Sequence, residues 1–423
     1  MQSKKPERRD AMKALNLRKW ASVIFTIAVL LSMSTGSVLA GDTVRIGVIG
    51  PMTGPAADTG REIKYASILA ADEINSQGGI LGKKIELIYG DTESNPSTGV
   101  TEVIKLIERE KVEFITGGLH SDVALAVMEV PPKYGIPYII SGPVSQSIAD
   151  KIEKDKTKYK LVFKTDTSSL AYGSAWGEFN GYLKKNNYIK KEKVTYVMII
   201  ENTDYGRAVA AAAEAAMEKL NFKKLYTEII DHKTADFYPI LSKVQKAKPD
   251  ILWSVQTATA SGLALIKQFR EMKIKALFQS TYVSTKPDYV KLVGADGVGV
   301  IAVQSAGLLP GNSDQFVEKI EKRWEAKPGM VAGIQYDVFY MIKSAAEKAG
   351  TLEPNKFIKE YAKTKHTGNL GTYVYDPKNN QIRSGMEYLP YLVFQFQEAG
   401  KSSVLIYPEK YTSARFKMPS WME

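Results

Sequence analysis

Thr53, Ser121, Ser141, Ser145, Thr203, Thr257, Thr259, Ser280 and Thr281 carry short hydroxyl side chains in a few polar segments, each of which follows an apolar run. A hydroxyl donates one hydrogen bond and accepts two, so several that converge can hold a carboxylate without a positive charge. Tyr205 and Tyr282 add flat apolar faces with polar tips to the same segments. His120 and Asp122 flank Ser121. Any single hydroxyl of this kind serves equally well as a helix cap. Their concentration in several segments is what points to capture of a small anionic solute.

Chemistry beyond capture finds little support. There is no Gly-x-Ser-x-Gly elbow and no Walker-type glycine–lysine pattern, and no dinucleotide fingerprint follows a strand. His120, His232 and His366 are the three histidines, and no two of them have metal-ligand spacing. We therefore expect no catalytic residues, no cofactor and no metal.

The elements that would position these groups alternate. Thr43 to Ile49 reads as a strand, and Ile63 to Ile74 has helical apolar spacing that Gly78 and Gly79 terminate. Lys84 to Tyr89, Val112 to Thr116 and Pro137 to Ile140 are further strands, with a helix at Gly99 to Glu108. A charged, turn-rich stretch from Asp150 to Lys160 intervenes. The alternation then restarts with strands at Val194 to Ile200, Leu225 to Ile230, Ile251 to Val255 and Ala276 to Gln279, and helices at Tyr205 to Leu220 and Leu263 to Met272. Such alternation implies an α/β fold with largely parallel sheets, and the restart implies a second lobe. Later come a helix at Tyr336 to Lys348 and strands at Leu370 to Asp376 and Leu389 to Phe396. In sheets of this kind ligands sit beyond the carboxyl ends of the strands, where the hydroxyl-bearing segments fall.

Residues 1–40 read as an export signal. Basic residues from Lys4 to Lys19 precede the uncharged apolar run Ala21 to Leu31, and Val38-Leu39-Ala40 fits a cleavage site. Met12 is an alternative start. These forty residues hold seven basic and two acidic residues, so the remainder has net charge +6 instead of +11. The remaining lysines are interleaved with acids, which excludes a clustered nucleic-acid groove. The absence of cysteine removes a lipid-anchoring thiol. A soluble periplasmic protein is expected.

Several strings carry a resemblance. They are Ile46-Gly47-Val48-Ile49-Gly50-Pro51-Met52-Thr53-Gly54, Ala71-Asp72-Glu73-Ile74-Asn75, Gly78-Gly79-Ile80-Leu81-Gly82-Lys83, Asp91 with Asn95-Pro96, Ser141-Gly142-Pro143, Asp204-Tyr205-Gly206 and Lys248-Pro249-Asp250. In that order they resemble the type I periplasmic solute-binding proteins of branched-chain (Leu/Ile/Val) amino acid ABC transporters. The resemblance implies two Rossmann-like lobes joined by three crossings. One lobe would hold residues 41–164 and 304–366, the other 165–303 and 367–423. It also implies an inner-membrane ABC permease as partner, a small carboxylate such as an amino acid as ligand, and a monomer. A sensory ligand-binding subunit would have the same fold.

By resemblance, Ser121 and Ser145 hold the ligand carboxylate and Tyr205 covers the ligand. A second covering aromatic falls on Thr257, and the acid that pairs with the ligand ammonium falls on Tyr282. Ser141, His120 and Asp122 complete the candidate set. An ammonium without a carboxylate partner is costly to desolvate. Either Asp122, Asp204 or Glu201 takes that role, or the ligand is an amine-free aromatic or aliphatic carboxylate.

Overall fold

Val44–Gly50 (β1), Ile85–Asp91 (β2), Phe114–Gly117 (β3), Tyr138–Ile140 (β4) and Val162–Lys164 (β5) are rich in β-branched and aromatic residues and pair in parallel. Their largely apolar composition suits strands covered on both faces. The covering helices are Ala57–Ser76 (α1), Pro96–Glu108 (α2), Ser121–Val127 (α3) and Gln146–Lys154 (α4). The computed structural model describes residues 43–286 and 289–422, and the export segment expected over residues 1–40 lies outside them.

The chain then crosses to a second sheet. Ser169–Lys185 (α5) leads to Thr195–Glu201 (β6), Asp204–Lys219 (α6), Lys223–Ile230 (β7), Tyr238–Ala247 (α7), Ile251–Gln256 (β8), Thr259–Glu271 (α8), Leu277–Tyr282 (β9), Tyr289–Val293 (α9) and Ile301–Gln304 (β10). It returns through Asp314–Trp324 (α10), Met330–Ala349 (α11) and Pro354–Tyr361 (α12) to Lys365–Gly368 (β11), Gly371–Asp376 (β12) and Gln381–Ile382 (β13). A last crossing reaches Leu392–Gln395 (β14) and Val404–Tyr407 (β15).

Among the described residues the first sheet has eight strands in the order β11-β12-β13-β5-β4-β3-β1-β2, and the second has seven in the order β15-β14-β10-β9-β8-β6-β7. The two lobes and three crossings follow the expected fold class. Residues 371–382, placed in lobe two by the sequence, instead extend the first sheet. Gln381 pairs with Lys164 in parallel, and β12 runs antiparallel to β13. Strands this short carry too little periodicity to reveal a partner more than 200 residues away. The start of the stretch Asp150 to Lys160, read as turn-rich, instead belongs to the helix Gln146–Lys154, which Ser145 caps.

Each sheet reverses its strand order beside its first strand, between β1 and β3 in one and between β6 and β8 in the other. Such switch points open a crevice at the strand ends. Both crevices contribute to the cleft between the lobes.

Candidate functional site

On lobe one, β3 ends at Gly117, whose φ of +105° brings an added Cβ to within 2.2 Å of the Ile49 carbonyl oxygen. Only glycine fits there, and the sharp exit delivers Ser121 to the start of α3. Ser145 caps α4, its Oγ accepting the Ser147 N–H at 3.2 Å. The Ser121 Oγ accepts the Ser145 N–H at 3.1 Å, so the two serines form one unit. Both are buried. Their oxygens accept backbone hydrogens, which leaves each O–H proton available to a carboxylate. Ser141 is placed differently. It is buried beneath the sheet and donates to Gln335 Oε1 of α11 at 2.7 Å, within lobe one. Thr53 is exposed and donates to Asp91 at 2.6 Å.

His120 is partly buried and shares a 3.0 Å hydrogen bond between its Nε2 and the Ser94 Oγ. Burial is the main reason its pKa falls to about 4, with Asp122 pulling the other way. It is therefore a neutral ring at neutral pH. Asp122, in the first turn of α3, accepts the Val123 N–H.

On lobe two, Glu201 ends β6 and Thr257 follows β8, so they meet at the switch point. Thr257 donates its N–H to Glu201 Oε2 at 2.7 Å and its hydroxyl to the same atom at 2.9 Å; Thr203 donates to Oε1 at 2.9 Å. Despite these donors, burial raises the Glu201 pKa to about 7, and the negative charge of Asp122 across the cleft adds to the rise. Gly206, where a Cβ would lie 2.2 Å from the Glu201 carbonyl oxygen, lets α6 start directly beside this acid. Asp204 opens α6, and its Oδ2 is buried without a hydrogen-bond partner.

Tyr205 is buried, shares a 3.0 Å hydrogen bond with Thr281, and meets the ring of Tyr172 edge to face at 6.1 Å. Tyr282 reaches the other lobe. Its hydroxyl lies 2.8 Å from the Thr59 Oγ1, and its ring joins the core cluster of lobe one. Burial holds both phenols well above their ordinary pKa. Thus Ser121 with Ser145, Glu201 with Thr257, and Tyr205 with Tyr172 are brought together, whereas Ser141 and Tyr282 have partners of their own. Sequence reasoning missed Tyr172, Asp58, Thr59 and Lys286. Asp58 and Thr59 lie in a segment recognised as following a strand, but a carboxylate in the first turn of α1 has no pattern that announces a partner 228 residues away.

Residues 43–400 match the family described as periplasmic binding protein. The chain belongs to that family. Among similar proteins of this periplasmic binding protein, a leucine-, isoleucine-, valine-, threonine- and alanine-binding protein from Pseudomonas aeruginosa is 22% identical over 337 residues, covering 79% of this chain and 86% of that one. A Leu/Ile/Val-binding protein homologue from Brucella abortus is 24% identical over 360 residues, covering 84% and 91%. Two solved structures share the fold. One is LivJ from Streptococcus pneumoniae in complex with isoleucine (TM-score 0.72, 18% identity, 87% of this chain and 100% of that one). The other is a solute-binding protein of an R. palustris ABC transporter in complex with benzoate (TM-score 0.74, 18% identity, 90% and 99%). Among the described residues no helix is long and apolar enough to cross a membrane.

Proposed function

We propose that this protein is the exported, periplasmic solute-binding subunit of an ABC importer, and that it captures a hydrophobic or branched-chain amino acid between its two lobes. The observation that carries this reading is the pairing of chemistries across the cleft. Ser121 and Ser145 present free O–H donors from one lobe, and Glu201 presents a buried carboxylate from the other. A carboxylate raised to about 7 by burial and by Asp122 has no salt-bridge partner among the described residues. A ligand ammonium would supply that partner and relieve the repulsion between Glu201 and Asp122 at the same time. Tyr205 and Tyr172 offer apolar surface for the ligand side chain.

A second reading, capture of an amine-free aromatic or aliphatic carboxylate, is favoured by a tyrosine at position 282, where the resemblance expects an acid, and by the Tyr205 and Tyr172 rings. The two are separated by a ligand-dependent thermal shift on residues 41–423 with matched pairs, such as leucine against 4-methylpentanoate and phenylalanine against 3-phenylpropanoate. A ligand that binds only the native state raises the melting temperature. Stabilisation by the amino acids and not by their analogues is expected. Stabilisation by the analogues alone would replace this reading with the second.

A further inference from the structure

Beyond the serines and the buried acid, four polar bonds run straight from one lobe to the other. Lys286, just past β9, places its Nζ 2.6 Å from Asp58 Oδ2 and 2.9 Å from Thr59 Oγ1. Thr259, at the start of α8, donates to the same Asp58 oxygen at 2.9 Å, and Tyr282 meets Thr59 at 2.8 Å. Asp58 and Thr59 belong to the first turn of α1 in lobe one, and the other three residues to lobe two.

This is more than a surface ion pair. The Lys286 side chain is only 8% exposed, so its ammonium is well removed from water. Burial alone would raise the Asp58 pKa, but attraction to Lys286 and the hydrogen bonds from Lys286 and Thr259 hold it below the ordinary value. The Lys286 ammonium also lies 5.0 Å from the centre of the Tyr282 ring. Tyr282 takes φ +57° and ψ −68°, the rare γ-turn geometry, a conformation non-glycine residues keep only where surroundings enforce it. That bend ends β9 and turns both Tyr282 and Lys286 toward α1. Asp58, Thr259 and Lys286 also form part of the wall of a cavity of about 390 Å³ between the lobes. The clasp therefore borders that cavity at one edge of the cleft.

We infer that Asp58, Thr59, Thr259, Tyr282 and Lys286 form a clasp that closes the lobes with the protein's own bonds, and that Asp58 and Lys286 are positioning residues which set how long a captured solute stays. Each bond joins two protein atoms, so the clasp contributes to closure whichever solute is held. The closed population sets both the affinity and the escape rate, since a solute leaves only through the open form.

Two measurements test this on the full mature chain. Small-angle scattering of the solute-free protein compares the parent with Lys286→Met and Asp58→Ala. Both variants should show a larger radius of gyration at an unchanged circular dichroism spectrum. Stopped-flow then follows release of leucine and of 4-methylpentanoate, with release from Lys286→Met at least tenfold faster for the one that binds. Thr259→Val, which removes one hydroxyl and keeps the ion pair, should fall between parent and Lys286→Met in both readouts. Equal radii for parent and Lys286→Met, or unchanged release, would overturn the clasp. The scattering arm needs no ligand, so failure of the amino-acid reading leaves that arm intact and the two outcomes are told apart.

Discussion

The two faces of the cleft solve the same problem in opposite ways. Lobe one offers neutral donors, the Ser121 and Ser145 hydroxyls, whose oxygens are fixed by backbone N–H groups. A pre-set neutral donor costs little while waiting and gains a charge-assisted bond when a carboxylate arrives. Lobe two offers Glu201, fully buried, with three hydrogen-bond donors and, among the described residues, no salt-bridge partner. Such a group destabilises the protein until a positive charge reaches it. The difference is one of chemistry, neutral donors on one face and a buried acid on the other. Under the proposed function, lobe one would recognise what all carboxylates have in common, and lobe two would distinguish ligands with an amine from those without.

The largest effect should come from the face common to all ligands. Replacing Ser121 and Ser145 together by alanine removes two donors to a carboxylate, at about 1.5–3 kcal/mol each. Affinity should fall by roughly 100-fold or more for amino acids and amine-free acids alike, as read by isothermal titration. A loss confined to one ligand class would break the comparison.

A smaller effect separates the faces by pH without any ligand. The Glu201 pKa is raised from 4.5 to about 7, so its contribution to stability is fully present below the unfolded value and is lost as pH rises through 7. At pH 8 that loss approaches about 3 kcal/mol. Denaturant melts of the parent and of Glu201→Gln at pH 5 and pH 8 isolate this term from other titrating groups. The stability of the parent relative to the variant should drop between the two pH values. A pH-independent difference would mean that Glu201 is not the strained acid described here.

The strands that frame the cleft were legible from sequence because parallel strands covered on both faces are short apolar runs, and helices such as α1 and α6 carry their own apolar stripe and stop signals. Position at the strand ends followed from that frame. Partner choice did not. Ser141 and Ser145 lie four residues apart in one hydroxyl-rich loop, yet one bonds to Gln335 beneath the sheet and the other caps α4. Nothing local tells them apart, because α11 approaches from almost 200 residues later. Glu201 was legible as one of three candidate acids. Its burial became visible only when β8 brought Thr257 beside it. The Asp58–Lys286 clasp depends on how two lobes meet, which no periodicity within either lobe records.

The central claim is that Glu201 meets an amine. Its most direct test is isothermal titration at pH 8 of leucine and 4-methylpentanoate, or the pair that the thermal shift selects, against the parent and Glu201→Gln. The account predicts that the substitution weakens the amino acid by about 10- to 100-fold, in line with loss of a charged hydrogen bond, and leaves the amine-free analogue unchanged or bound more tightly. Equal losses for both ligands, or an amino acid that binds Glu201→Gln as tightly as the parent, would contradict it.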